Sequence, residues 1–423
     1  MKSLIRKFFK KTRNVPFSAL GSNDLGLDAK GHQKITMDTI LFSSKFISDI
    51  SKLDWILPAD INGTGNVISD QSRLILNSGT NTGDYGKLYS RRHPPIRPNK
   101  GQLYNAFIML PDYKTIGFSR IWGAYFKDIM PSRQSGVLFE LTDDILYGKL
   151  LTTHDGILKE TTITIDYSKY DLNALNEYEI QYQWNNIYSF YINKELVGNI
   201  EVLGKNDPDT KLSVINGNLP ARFECINNGG TGSVDLICAS VSISTESTDK
   251  PKLNPVFIET AIDTAIQKDT YTPLVIGYIP FTFKDQHNTR DSIITRIGLG
   301  SEGKTIVKAI ITRDRSIFGK TVLGDLDGET DFKWYGTDSL VMHNGDSIKY
   351  SREATLVDLS DPTKYSIVCC GYIPKVGDKY VAEYDPCDPN SPVISHGDYI
   401  ILAAQSPVSG TTGFGGIALG EEL

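Results

Sequence analysis

Hydrophobic and polar residues alternate most clearly over 176–200. There Tyr178, Ile180, Tyr182 and Trp184 interleave with Glu179, Gln181 and Gln183. A period of two marks a half-buried strand. Asn185 and Asn186 follow, and Asn tolerates the positive φ of a tight hairpin turn. Tyr188, Phe190 and Ile192 then lead to a second turn at Asn193-Lys194, and Leu196, Val197 and Ile200 supply a third strand. Three short strands are not stable alone, so the pattern requires a larger sheet around them. Short alternating runs recur at 136–141, 145–151, 160–165, 221–225 and 233–244. Turn signals stand at Asp143-Asp144, His154-Asp155-Gly156, Asn216-Gly217 and Asn227–Gly230. Many strands at this spacing predict an antiparallel sandwich.

The rhythm changes after 245. A polar stretch, STESTDKPK, ends in a proline-containing linker. Asn254-Pro255 then reads as an N-cap and first helical residue. Ile258, Ala261, Ile262, Ala265 and Ile266 fall on one helical face. Seven further β runs follow, at 273–283, 292–297, 305–312, 339–343, 365–373, 379–383 and 398–403. Gly-Tyr-Ile-Pro occurs at Gly277–Pro280 and again at Gly371–Pro374, after an apolar run each time. The tail SGTTGFGGIALGEEL predicts a segment that is flexible or ordered only against a neighbour. The expected organisation is an arm and strap (1–47), a lectin-like sandwich (48–246), a linker with a short helix (247–270), a second β domain (271–408) and a glycine-rich tail (409–423).

Composition agrees with a β-rich chain, for Tyr 21 and Phe 17 are high counts and Met 5 is low. Charge adds an asymmetry. The first thirteen residues carry Lys2, Arg6, Lys7, Lys10, Lys11 and Arg13 with no acid, whereas the whole chain is at −6. A basic arm on an acidic body follows. Leu4, Ile5, Phe8 and Phe9 lie at helical spacing among Arg6, Lys10 and Lys11. That arm suits docking on an acidic protein partner, contact with a membrane surface, nucleic-acid binding or plain solvation. Docking is the expectation taken forward. The arm lacks a signal peptide's apolar core, and no apolar run is long enough to span a membrane.

The search for chemistry is mostly negative. Five cysteines (225, 238, 369, 370 and 387) form no CxxC and no zinc spacing with histidine. Buried free thiols are expected, with a Cys225–Cys238 bridge left open. Six scattered histidines give no ligand pair. Asp325, Asp327 and Asp331, with Gly328 and Glu329, form an acidic loop that is a weak Ca²⁺ candidate beside a solvated turn. Arg91, Arg92, His93, Arg97 and Lys100 cluster among prolines and suit an inter-subunit ion-pair site rather than nucleic acid. Retaining glycoside hydrolysis needs two carboxylates about 5–5.5 Å apart. A strand would supply them from i and i+2 or i+4 on one face, as in E-x-D-x-E, and no such strand is expected here, Glu140 to Asp144 having the wrong spacing. The expectation is a chain that is not an enzyme and binds no cofactor.

Two resemblances add to this. Asp28-Ala29-Lys30-Gly31-His32, followed by Thr39-Ile40-Leu41-Phe42, resembles the "D-A-x-G-R … L-F" signature of a family of tailed-bacteriophage virion structural proteins. His32 stands where the family has Arg. Arg92, Arg97, Pro98, Lys100, Gly101 and Leu103 resemble its "R-x-R-Y-x-P-G-x-G-x-L" segment. Ile121–Phe126 with Gly136–Phe139, and Ile180–Trp184, resemble two more of its motifs, so the likeness covers residues 15–245. Trp184, Phe190-Tyr191-Ile192-Asn193 and Val197 resemble a hairpin of concanavalin/laminin-G-like sandwiches, with Lys194 in place of glycine. The resemblances imply a virion component such as a head fibre, a capsid decoration or a tail protein. It would be assembled in the host cytoplasm, anchored by its arm to capsid or tail, and a homo-oligomer with a trimer favoured. The alternative is a lectin-like module for surface glycans. Tyr182 and Trp184 are expected between the sheets, with Tyr178 and Ile180.

Overall fold

The computed structural model describes residues 39–422 except 48, 58, 95–100, 128–133, 155–156, 183–186, 202–217, 246–252, 260–263, 280–281, 284–285, 288–291, 319–333, 336–348, 352–356, 386–387 and 389–390. The described residues form antiparallel sheets and contain no α-helix, only short 3₁₀ turns at Arg315–Ile317 and Pro362–Lys364. The chain divides into two units, one of residues 1–51 with 55–249, the other of 52–54 with 250–423.

The first unit is a sandwich of fifteen strands, in chain order β1 (Thr39–Lys45), β2 (Asp60–Asn62), β3 (Asn66–Asp70), β4 (Arg73–Asn77), β5 (Tyr85–Tyr89), β6 (Gln102–Met109), β7 (Phe118–Phe126), β8 (Ser135–Thr142), β9 (Ile145–His154), β10 (Ile157–Ile165), β11 (Asn176–Tyr182), β12 (Ile187–Ile192), β13 (Glu195–Glu201), β14 (Ala221–Asn227) and β15 (Asp235–Thr245). An eight-stranded sheet runs β13-β12-β11-β6-β15-β4-β3, with β1 also paired to β15, and a seven-stranded sheet runs β10-β9-β8-β7-β14-β5-β2. Positive φ at Asp143 and Asp144, and at Asn193 and Lys194, makes tight turns where β8 meets β9 and β12 meets β13. Lys194 therefore takes the left-handed conformation for which the resembling hairpins use glycine.

Alternation decides what lies between the sheets. Tyr178 and Ile180 of β11 are fully buried there with Tyr104, Trp122, Phe139 and Phe190. The Trp122 ring meets Tyr178 edge-on at 4.9 Å and stacks on Phe139 at 5.6 Å. Aromatic pairs in these geometries add to the area they bury. Trp55 closes the core beside Phe42 and donates its Nε1–H to Ser44 Oγ at 3.0 Å. A loop is pinned by Asp84, whose carboxylate accepts bonds from Thr64 and Asn81 that hold its pKa down at about 2.

In the second unit one sheet orders Leu253–Glu259, Thr411–Glu422, Ser292–Ser301 and Lys379–Glu383; the other orders Trp334–Tyr335, Lys349–Ser351, Thr272–Tyr278, Tyr399–Gln405, Thr305–Thr312 and Ser366–Ile373. Ile297, Leu299, Val307, Leu402 and Ile417 pack in its core. Two sequence expectations are corrected here. The helix expected after Asn254-Pro255 is absent: Leu253–Glu259 is an edge strand, and Thr264–Ile266 is a second short strand. Pro255 lacks an N–H to donate, which an edge strand tolerates as well as a first helical turn does. The glycine-rich tail is an interior strand, Thr411–Glu422, paired along both sides. Its glycines serve close packing, since a Cβ on Gly415 would stand 2.8 Å from Leu402. The two Gly-Tyr-Ile-Pro tetrapeptides end strands of the same sheet that are not neighbours.

Candidate functional site

The outward half of the β11 alternation is Glu177, Glu179 and Gln181. Register places these beside β6 and β12: Glu177 opposes Phe107, Glu179 lies between Asn105 and Tyr191, and Gln181 between Leu103 and Ser189. Ser240 and Ser242 of β15 extend the first two rows beyond Phe107 and Asn105. Although they face outward, Glu179 and Gln181 are each only 7% exposed, whereas Phe107 is 36% exposed. The result is an open aromatic ring next to a covered strip of carboxylate, amide and hydroxyl groups.

Its geometry is set by one amide. Asn105 Nδ2 donates to Glu177 Oε1 at 2.6 Å and to Glu179 Oε1 at 3.2 Å. One amide nitrogen therefore lies between the two carboxylates and bonds both. Glu177 is fixed from its other side, for its N–H donates to Asn193 Oδ1 at 2.9 Å, and Asn193 Nδ2 donates to Asn176. Tyr191 donates its hydroxyl to Gln181 Oε1 at 3.3 Å. Burial, joined by the Glu179 charge, raises its phenol above the ordinary tyrosine value, so the hydroxyl keeps its proton at neutral pH.

A second polar cluster lies on the outer face of the seven-stranded sheet. Glu224, 1% exposed, accepts from Arg222 Nε at 2.8 Å and from the Tyr125 hydroxyl at 2.9 Å. Burial alone would raise the Glu224 pKa, but the charges of Arg222, Lys127 and Lys87 outweigh it and hold it below the ordinary carboxylate range. Ile121, Tyr125, Leu138 and Leu151 form a buried apolar patch beside this pair. Beyond that patch Lys149 bridges Glu140 at 2.6 Å and Glu160 at 2.7 Å. These ion pairs hold neighbouring strands together.

The other sequence candidates fare differently. Leu4, Ile5, Arg6, Phe8, Phe9, Lys10 and Lys11 lie outside the described residues, as do Asp325, Asp327, Asp331, Trp184, Arg97 and Lys100, and the Tyr182 side chain. Among the described residues no group of three or more His, Cys, Asp or Glu side chains could hold a metal, and no helix is long and apolar enough to cross a membrane. The reading of Arg91, Arg92 and His93 as an inter-subunit ion-pair site is corrected. All three are buried within the first unit, and Arg92 Nη1 donates to the Leu41 carbonyl at 3.0 Å. Cys225 and Cys238 are free thiols on strands of opposite sheets.

No family model matches the chain, and no curated protein matches it. Solved structures do resemble it. A β-1,3-glucanase from Mycobacterium marinum is 13% identical with a TM-score of 0.36, over 48% of this chain and 98% of that one. The β-glucanase of Bacillus licheniformis is 10% identical with a TM-score of 0.34, over 50% and 99%. A human gut microbiota protein described with endo-acting O-glycanases is 13% identical with a TM-score of 0.37, over 48% and 98%. The likeness is one of fold, and the described residues are themselves mainly β, with antiparallel sheets and a two-sheet sandwich in the first unit.

The expectation that the chain is not an enzyme is met by a finding that runs the other way, and it is not carried forward. Glycoside hydrolases are among the similar structures. The strand-borne carboxylate pair reported absent from the sequence is also present, as Glu177-Tyr178-Glu179.

Proposed function

We propose that the first unit binds carbohydrate along the outer face of its eight-stranded sheet. The observation that carries this is Phe107, exposed beside Glu177 and Asn105 and flanked by Ser240. A sugar ring has an apolar C–H face and a rim of hydroxyls. An open aromatic ring packs against the first, while fixed carboxylate, amide and hydroxyl groups bond the second. Strands β6, β11 and β12 contain no Lys or Arg, and their two carboxylates outnumber Lys45 of β1, the basic residue that ends the Phe107 row beyond Ser240. That balance favours neutral or amino sugars over uronate, sialate or sulfated ones. A glycan array followed by calorimetry tests the reading. Neutral glycans should bind, and Phe107→Ala should weaken them about tenfold, the loss expected for one aromatic contact, without changing the melting temperature. No binding above background, or unchanged affinity in the variant, would refute it.

A second reading places this sandwich on a virion, as a structural subunit of a tailed-phage particle that carries it outward. The Arg92 to Leu41 bond supports it, because it joins two segments that resemble separate motifs of that family. The arm at 1–13 would then dock on the capsid or tail, its Leu4, Ile5, Phe8 and Phe9 against the partner and its basic groups on acidic patches. Deleting residues 1–24 should leave folded protein that no longer enters particles. Incorporation at full occupancy would remove the arm from that role. A trimer by light scattering is expected, and a monomer would count against it.

A further inference from the structure

We propose that the second unit joins two copies of the chain through its edge strand Lys379–Glu383, paired antiparallel with itself about a two-fold axis at Val381. This strand ends its sheet beside Ser292–Ser301, and among the described residues no strand pairs with its outer side. An open edge is a template for a further strand. The other edges of the two sheets carry features that discourage pairing. Leu253–Glu259 contains Pro255, Ser366–Ile373 slips its register at Val368, and Thr264–Ile266 and Trp334–Tyr335 have only three and two residues. Lys379–Glu383 runs five residues along its neighbour with neither proline nor slip.

Its main chain faces the right way for pairing. The Tyr384 N–H donates to the Thr295 carbonyl at 3.0 Å, one position beyond the Glu383–Arg296 pair. Successive residues of an antiparallel strand turn their N–H and C=O groups to opposite sides. Tyr380 and Ala382 therefore bond inward, as Tyr384 does, while Lys379, Val381 and Glu383 present theirs to the open side. A second copy centred on Val381 sets Val381 against Val381 and each Lys379 against a Glu383. All are then hydrogen-bonded pairs, with about six main-chain bonds between the copies.

Side chains obey the same parity. Lys379, Val381 and Glu383 are exposed, whereas Tyr380 and Ala382 pack against the core. Glu383 also meets Arg296 Nε at 3.4 Å. Across the joined sheets each row would read Arg296, Glu383 and the second copy's Lys379, cation and anion in alternation. A foreign strand would need a matching pair of charges, and a second copy supplies it by symmetry. The edge is also preformed. The Tyr380 hydroxyl bonds the Cys370 carbonyl at 3.4 Å, and the Tyr384 hydroxyl bonds that of Val368 at 3.2 Å. Association then has little chain left to order. Ile367 and Tyr372 of that neighbouring edge strand are exposed as well, which adds apolar surface on the same flank.

The test is sedimentation velocity of the full chain over a range of concentrations, and it needs neither the carbohydrate nor the virion reading. The assembly mass should double as concentration rises. V381P removes an N–H that Ser292–Ser301 does not use, so the variant should fold and should halve that mass, to a monomer or, where the virion trimer also forms, to a single trimer. K379E and E383K each set like charges opposite one another twice, and each should weaken self-association at least about tenfold. The double variant K379E/E383K restores opposite signs and should recover it. Melting temperatures of the dilute proteins keep a folding defect apart, and the charge series decides alone where V381P does not fold. A mass that never doubles, an assembly that V381P leaves unchanged, or single reversals that the double reversal does not rescue would each overturn the proposal.

Discussion

Replacing Glu224 by glutamine removes one charge from the buried cluster on the seven-stranded sheet and leaves its shape intact. Arg222 would then keep its guanidinium, 10% exposed, without the carboxylate that faces it at 2.8 Å. The Lys127 carbonyl would remain bonded to it at 3.0 Å. Breaking a buried pair from one side costs about 3–5 kcal/mol, most of it the uncompensated charge. For a unit of this size each kcal/mol moves the melting temperature by about 2–4 °C, so a fall of about 10 °C is expected by calorimetry. The double variant Arg222→Met/Glu224→Leu should recover most of that loss, because well-packed apolar residues substitute for a buried pair at little net cost. The pH dependence has a definite sign. The folded pKa of Glu224 lies below the ordinary carboxylate value. Its contribution is therefore complete above the unfolded value of about 4.3, and it is lost as pH falls through the lower folded value. The gap between wild type and Glu224→Gln should thus be constant from pH 8 to about 5 and shrink below about 4. A variant that melts within 2 °C of wild type at pH 7, or a gap that widens in acid, would refute this account of the cluster.

Three other outcomes follow from the packing. Burial pushes the Cys225 thiol up to about 12 and Cys238 higher still, so neither should alkylate at pH 8 in the native state. Exposed Cys370 should alkylate at once, and mass spectrometry separates the cases. A chain ending at Gly410 loses an interior strand of the second unit, and limited proteolysis should find that unit unfolded while the first survives. Gly63 has φ +61°, and a Cβ there would stand 1.8 Å from Asp84 Oδ1, whereas Gly83 has φ +89° and open space. Gly83→Ala should therefore cost only the backbone term of about 1–2 kcal/mol. Gly63→Ala should melt several degrees lower than that control, and equal melting temperatures would contradict the packing of Asp84.

Much of the fold was legible because strands announce themselves locally. The alternation at Tyr178 and Ile180, and the turns at Asp143-Asp144 and Asn193-Lys194, depend on side-chain parity and on φ at single residues. The helix after Asn254 was misread for the same reason. Ile258, Ala261 and Ala265 satisfy helical spacing, but Leu253–Glu259 is stabilised by pairing with Thr411–Glu422, more than 150 residues away. Glycines in that partner read as flexibility, yet they bring two layers close. No local window carries either fact.

The site was hidden by the feature that exposed the fold. A period of two identifies the apolar half of a strand as core, and it assigns the other half to solvent by default. Glu179 and Gln181 show that the default fails when long polar side chains lie along a sheet beside residues such as Tyr191. Whether two outward carboxylates diverge into water or converge on a substrate then depends on what stands across the next strand. Here that residue is Asn105, which lies 72 positions before Glu177 and reaches it only through the β6–β11 register. Asn105→Ala is consequently the variant that tests this convergence. It leaves Phe107 and both carboxylates in place and releases the bonds that set their spacing. Glycan affinity should fall about tenfold at an unchanged melting temperature, the scale of one or two lost hydrogen bonds, and unchanged affinity would remove Asn105 from the binding surface.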